Sequence, residues 1–282
     1  MRKLILFIIF WSIGSYIYAQ VKEDDTNLVL FDGYLYGNII EKAEAECNNI
    51  YKREGIFTFS YRFFDKNGKE LFFSINNDQS WDFIDVNRTK DNVVKDFKLE
   101  VLKSNKKFSD PSFYQTNISY IINKNKKEHT RTGLIENGRN IWFHPPREYL
   151  FQILELNPYP YIKYPLEIGH SWSWKLEIGD AWSDKRWKLW NGIIEFKYKY
   201  SITGKKTIKT NLGNLDCFII ESEAISSMGK TRLTSYFNSK YGFVKFDYTN
   251  IDNSKLEIVL QDVIFQKFKI FMPKNMLFSR GY

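Results

Sequence analysis

The sequence predicts a mainly β chain: a curved antiparallel sheet or half-barrel carrying one or two short helices, with a β-sandwich as the alternative. Three observations predict it. Apolar residues recur with a period of two along many short stretches. Turn-forming residues separate those stretches about every ten residues, and alternating strand–helix units are absent. Rings make up 18% of the 282 residues, so the buried face of such a sheet is largely aromatic.

Each element has its own signal. Phe57, Phe59, Tyr61 and Phe63 alternate with Thr58, Ser60 and Arg62, which gives a strand with one apolar face. Asn67-Gly68 then marks a hairpin, because both residues tolerate positive φ, and Leu71, Phe73 and Ile75 line the return strand. Tyr114, Ile118, Tyr120 and Ile122 alternate again, followed by a polar tip at Lys124–Lys127 and a partner strand over Thr130–Glu136. Later in the chain Trp172, Trp174, Leu176 and Ile178 share one face, and Ile194, Phe196, Tyr198, Tyr200 and Ile202 another. Gly204-Lys205-Lys206 is expected to turn the chain, and Asn211-Leu212-Gly213-Asn214 to turn it again. Strands follow near 217–224, 231–237, 243–248 and 256–264. Gly213 and Gly242 are expected at positive φ, where two apolar strands need a turn or a close approach.

Two segments depart from the period of two. Ile39, Ala43, Cys47 and Ile50 recur at helical spacing, and so do Leu150, Ile153 and Leu154 after Pro145-Pro146. Both predict short helices packed on the sheet. Asn157-Pro158-Tyr159-Pro160 and Tyr164-Pro165 exclude helix, so 157–168 reads as a Pro-rich connector. It divides a β-rich half with two short helices (20–156) from a C-terminal sheet (169–265) and a tail (266–282).

The first nineteen residues read as a secretory signal peptide. A basic Met1-Arg2-Lys3 precedes an apolar run interrupted by Ser12, Gly14 and Ser15, with small Ala19 at the expected cleavage point. The rest of the chain is then exported, to the periplasm or outside the cell. An oxidising compartment permits a Cys47–Cys217 disulfide, which would contribute about 4–5 kcal/mol in the chain-entropy model; two separate buried thiols are the other reading. The composition excludes a multipass membrane protein, a disulfide scaffold and a low-complexity chain. The formal charge of +8 falls largely on expected hairpin tips. With export, that speaks against nucleic acid and leaves attraction to an anionic membrane surface.

Candidate chemistry is sparse. His129, His144 and His170 show no metal spacing with each other or with Cys. Neither a G-x-S-x-G elbow nor a Gly-rich phosphate loop is present, and no cofactor is expected. The leading expectation is a non-enzymatic exported protein holding a lipid or other hydrophobic ligand in an aromatic groove. Five tryptophans carry it. Trp172 and Trp174 occupy alternate strand positions, whereas Trp182, Trp187 and Trp190 are interleaved with charged residues in a loop. There they could hold a lipid tail, stack on a sugar as a glycan-binding module, or cap one end of the barrel. A third expectation is an enzyme assembled from His144, Arg147 and a distant carboxylate.

The run Pro165-Leu166-Glu167-Ile168-Gly169-His170-Ser171-Trp172 is followed by Thr210-Asn211-Leu212-Gly213-Asn214-Leu215-Asp216-Cys217. Tyr236-Phe237 and Tyr241-Gly242-Phe243-Val244-Lys245 come next. Together these resemble the TapB-like group of exported bacterial proteins over roughly residues 165–264. The resemblance implies a curved antiparallel half-barrel similar to LolA and LolB, and implies no activity. The first half of the chain, including Trp142-Phe143-His144-Pro145-Pro146-Arg147, lies outside that pattern.

Overall fold

The computed structural model describes residues 48–88, 92–102, 116–124, 130–136 and 138–265. Among them fifteen strands form one sheet, antiparallel throughout. They are β1 (Gly55–Phe64), β2 (Glu70–Ile75), β3 (Trp81–Asp85), β4 (Val93–Val94), β5 (Asp96–Val101), β6 (Thr116–Ile121), β7 (Thr130–Glu136) and β8 (Asn140–Phe143). The rest are β9 (Tyr161–Lys163), β10 (Ser171–Ile178), β11 (Ile194–Thr210), β12 (Gly213–Ser226), β13 (Gly229–Asn238), β14 (Gly242–Thr249) and β15 (Lys255–Phe265).

A path of twelve strands runs β10-β11-β12-β13-β14-β15-β1-β5-β6-β7-β8-β9, with β2 branching from β1 and carrying β3 and β4. The two ends of this path, β9 and β10, are consecutive in sequence. They approach each other, with Tyr161 edge-on to Trp172 at 5.6 Å. Tyr161 is also edge-on to Tyr200 of β11 at 5.4 Å. The curved antiparallel sheet expected from the sequence is therefore bent into a nearly closed barrel. Closure leaves little exposed edge, which is the costly part of an open sheet.

Alternation in the sequence becomes alternation of burial. Inward Phe57, Phe59, Tyr61 and Phe63 on β1 are buried, and so are Trp172, Trp174, Leu176 and Ile178 on β10. The barrel's contents come from the chain itself. The expected helix at Leu150–Leu154 forms as a 3-10 segment, Tyr149–Leu156, in which every residue but Gln152 is buried. Its Phe151 ring meets Tyr61 (5.4 Å), Phe73 (5.8 Å) and Phe97 (4.9 Å). Thr231 Oγ1 donates to Leu156 O at 2.8 Å, and Asn157 Nδ2 donates to Asn250 Oδ1 at 2.9 Å. Residues 144–160 are thus tied to both halves of the sheet from the inside.

Several local expectations need correction. Gly204-Lys205-Lys206 does not turn the chain: β11 runs on to Thr210, and its pairing with β12 shifts register between Ile202 and Gly204. The glycine marks a bulge that bends a long strand, not a hairpin. The turn at Asn211-Leu212 does form, with Thr210 opposite Gly213. The segment 157–168 contains β9, and the same sheet runs through residues on both sides of it. The expected helix over 39–50 lies mostly outside the described residues; its end, Asn48–Tyr51, is a bend. The signal peptide, Cys47, His129 and the tail 266–282 also lie outside them. Among the described residues no helix is long and apolar enough to cross a membrane.

Candidate functional site

His144, Arg147 and a carboxylate do come together, inside the barrel. β8 delivers His144, whose carbonyl accepts the Tyr120 hydroxyl at 2.5 Å. Pro145-Pro146 prevents the strand from continuing, and the chain turns inward. Arg147 Nε donates to Glu155 Oε1 at 2.9 Å, and Tyr159 donates its hydroxyl to Glu155 Oε2 at 2.6 Å. His144 Nδ1 lies 3.3 Å from Arg147 Nη2 and 4.0 Å from Glu155 Oε1. Burial alone would raise the Glu155 pKa. The charges of Arg147 and His144, with hydrogen bonds from Arg147 and Tyr159, outweigh it and hold the carboxyl below its ordinary value. Both carboxylate oxygens are engaged, and His144 and Glu155 are buried. The group neutralises a charge in the barrel and fastens the inner segment, which is the structural role of a satisfied buried ion pair.

A folded loop over residues 179–193 covers this network. The Arg147 guanidinium lies 5.0 Å from the Trp182 ring centroid. Trp187 Nε1 donates to Trp182 O (3.2 Å), Trp190 N–H to Ser183 Oγ (3.1 Å) and Gly192 N–H to Asp180 Oδ2 (2.8 Å). Trp187 stacks against Trp81 of β3 at 6.5 Å. Arg186, held by Asp184, places its guanidinium 3.8 Å from the Trp81 centroid and donates to Trp81 O at 3.3 Å. The loop therefore joins the inner segment to the β2–β3 hairpin.

The five sequence-predicted tryptophans separate accordingly. Trp172 stacks on Tyr200 at 5.4 Å and Trp174 on Tyr198 at 4.4 Å, both as core. Trp187 is buried, whereas Trp182 and Trp190 are half-buried and packed on the core. No row of exposed rings results. Trp81, which completes the cap, was not singled out from the sequence; its only signal was a lone ring directly after the Asp78-Gln79-Ser80 turn.

What the loop does expose is aliphatic. Leu189 is 67% and Ile193 52% exposed, with Lys185 and Lys188 exposed beside them. Ile225, 39% exposed, belongs to the same end of the barrel, because it pairs with Lys197 near the start of β11. Elsewhere, Cys217 is a buried free thiol that donates to Leu215 O at 3.3 Å, and its expected partner Cys47 lies outside the described residues. Among the described residues no group of three His, Cys, Asp or Glu side chains could hold a metal ion.

No family model matches the chain, and no curated protein matches it; the TapB-like resemblance thus gains no support from these comparisons. Solved structures similar to it include a Bacteroides fragilis NCTC 9343 protein described provisionally as exported and of YmcC-like fold. That similarity has 11% identity and a TM-score of 0.40, covering 77% of this chain and 98% of that one. A Parabacteroides distasonis ATCC 8503 protein described provisionally as a lipoprotein has 12% identity and a TM-score of 0.42, covering 76% and 97%. The hypothetical lipoprotein YmcC of Escherichia coli (K12) has 11% identity and a TM-score of 0.31, covering 81% and 99%.

Proposed function

We propose that this chain is an exported, non-enzymatic envelope protein that contacts lipid through the capped end of its barrel. The observation that carries the reading is the pair Leu189 and Ile193, exposed on a loop fixed by its own hydrogen bonds and flanked by Lys185 and Lys188. Aliphatic side chains that follow two lysines and lie on either side of a half-buried tryptophan match the chemistry of a bilayer interface. The signal-like N-terminus supports the compartment. Residues 144–160 occupy the inside of the barrel, so the lipid contact expected in an aromatic groove is assigned to the rim instead.

Vesicle flotation tests it, with wild type and the double variant Leu189→Glu/Ile193→Glu on vesicles with and without phosphatidylglycerol. Wild type should float with the anionic vesicles at low salt, and the variant should stay in solution with an unchanged melting temperature. Wild type that stays in solution, or a variant that floats equally well, overturns the reading.

A further inference from the structure

From the half-exposed ring of Phe83 and the cleft around it we infer a second site, on the β2–β3 hairpin, that binds a neutral saccharide. It is independent of the lipid-contacting rim. The cleft has a volume of about 490 Å³, within the range of small-molecule sites, and gives room for a short oligosaccharide.

The floor and walls have the chemistry such a ligand requires. Phe83 is 37% exposed and stacks on Phe63 at 4.9 Å with 16° between the planes. One face of the ring is thereby backed by the core, and Trp81 holds its position edge-on at 5.2 Å. Among the described residues β3 pairs only with β2, and past the Trp81 carbonyl that Arg186 holds, its outer edge leaves room beside this ring for a ligand to approach. A rigid ring with an open face suits the C–H face of a pyranose, which is apolar while its hydroxyls point outward.

The polar groups around the ring are positioned beforehand. Asp85 Oδ1 accepts from Asn87 N–H (3.0 Å) and Asn87 Nδ2 (3.1 Å), and its Oδ2 lies 3.2 Å from Lys69 Nζ. Asp82 Oδ2 accepts from Asn76 Nδ2 at 2.9 Å. Each carboxylate oxygen has more than one lone pair, so both acids can also accept from sugar hydroxyls. The exposed side chain of Arg88 lines the same cleft. Two cations, Lys69 and Arg88, balance two acids, Asp82 and Asp85. That balance disfavours a phosphate or an acidic sugar and leaves a neutral ligand.

Saturation-transfer NMR and titration calorimetry test the site with chitotriose, maltotriose and mannotriose, and with uncharged glycolipids carrying the same three sugars as the lipid-linked form. At least one probe should bind wild type through its ring protons. Phe83→Leu, which keeps an apolar side chain without the ring, should weaken binding at least tenfold. Arg88→Ala, which changes only an exposed side chain, should weaken it about threefold or more with an unchanged melting temperature. Leu189→Glu/Ile193→Glu should bind the free trisaccharide like wild type, even if the lipid reading fails. Equal affinity for free and lipid-linked sugar identifies a free glycan as the ligand, whereas tighter binding of the glycolipid than of its own free sugar, which Phe83→Leu also weakens, identifies a glycolipid headgroup. No binding of any probe to wild type, or unchanged binding by both folded Phe83→Leu and Arg88→Ala, overturns the inference.

Discussion

Tyr51 occupies the space that a side chain at Gly242 would need. Gly242 has φ +77°, and a Cβ built there would lie 2.7 Å from Tyr51 Cζ and closer still to its hydroxyl. That hydroxyl accepts the N–H of Phe243 at 3.0 Å, so the ring is not free to withdraw. Gly213 has φ +107° with nothing within 4 Å of its missing Cβ. Gly213→Ala should therefore cost about 1–2 kcal/mol from the left-handed backbone alone. Gly242→Ala should cost about 2–5 kcal/mol, because displacing a packed ring adds to the same strain. Denaturant midpoints of the two variants check the ranking; equal losses would refute the steric account.

Glu136 anchors the start of the described chain. Its Oε1 accepts Asn49 N–H and Ile50 N–H, both at 2.8 Å, and its Oε2 accepts Tyr51 N–H at 2.9 Å. A glutamine offers one acceptor oxygen and one NH₂ in place of two acceptors. Glu136→Gln should lower stability by about 1–3 kcal/mol. It should also speed hydrogen exchange at residues 49–51 and at Phe243, which depends on Tyr51. Exchange at these amides equal to wild type would show that the carboxylate is dispensable.

Stability should fall on acidification partly through Glu155. Its folded pKa is lowered from the ordinary 4.5. Its contribution is therefore fully present above the unfolded value and lost as pH falls through the folded one. Glu155→Gln should be less stable at neutral pH and should lose less stability than wild type on acidification below about pH 5. Arg147→Met should cost about 3–5 kcal/mol, because it strands the buried carboxylate. Urea titrations at several pH values decide; parallel pH profiles for wild type and Glu155→Gln would exclude the carboxyl from this role.

Cys217 should be inert in the folded protein. Burial, and secondarily the negative charge of Asp216, push its thiol up to about 12, which leaves little thiolate to react. Iodoacetamide at mildly alkaline pH should label it only once the chain is unfolded, as read by peptide mass spectrometry. Rapid labelling of native protein would mean that the β12 region opens readily.

Legibility of the fold follows from how side chains are shared between faces. β1 and β10 could be read because one face is buried and the other is not. β8 escaped notice because Asn140, Ile141, Trp142 and Phe143 are all buried, and a strand covered on both faces shows no alternation. Gly204 misled because glycine serves turns and bulges alike. The inner network was half legible: His144 and Arg147 stood out beside Pro145-Pro146, but nothing local marked Glu155 as the carboxylate that joins them. The cap was less legible still, since Arg186 reaches the carbonyl of Trp81 across 105 residues.

By itself the sequence determined the antiparallel β class, most strand positions, the inner helical turn and the special backbone at Gly213 and Gly242. These follow from local steric rules and from a period that each strand displays on its own. Tertiary structure alone decided that β9 returns to β10, that residues 144–160 occupy the inside, that Trp182 and Trp187 turn toward Arg147 and Trp81, and that Leu189, Ile193 and Phe83 stay exposed. Those outcomes depend on strand order and register across long sequence separations. A residue's pattern states that it must be buried, but only the assembled sheet determines against what.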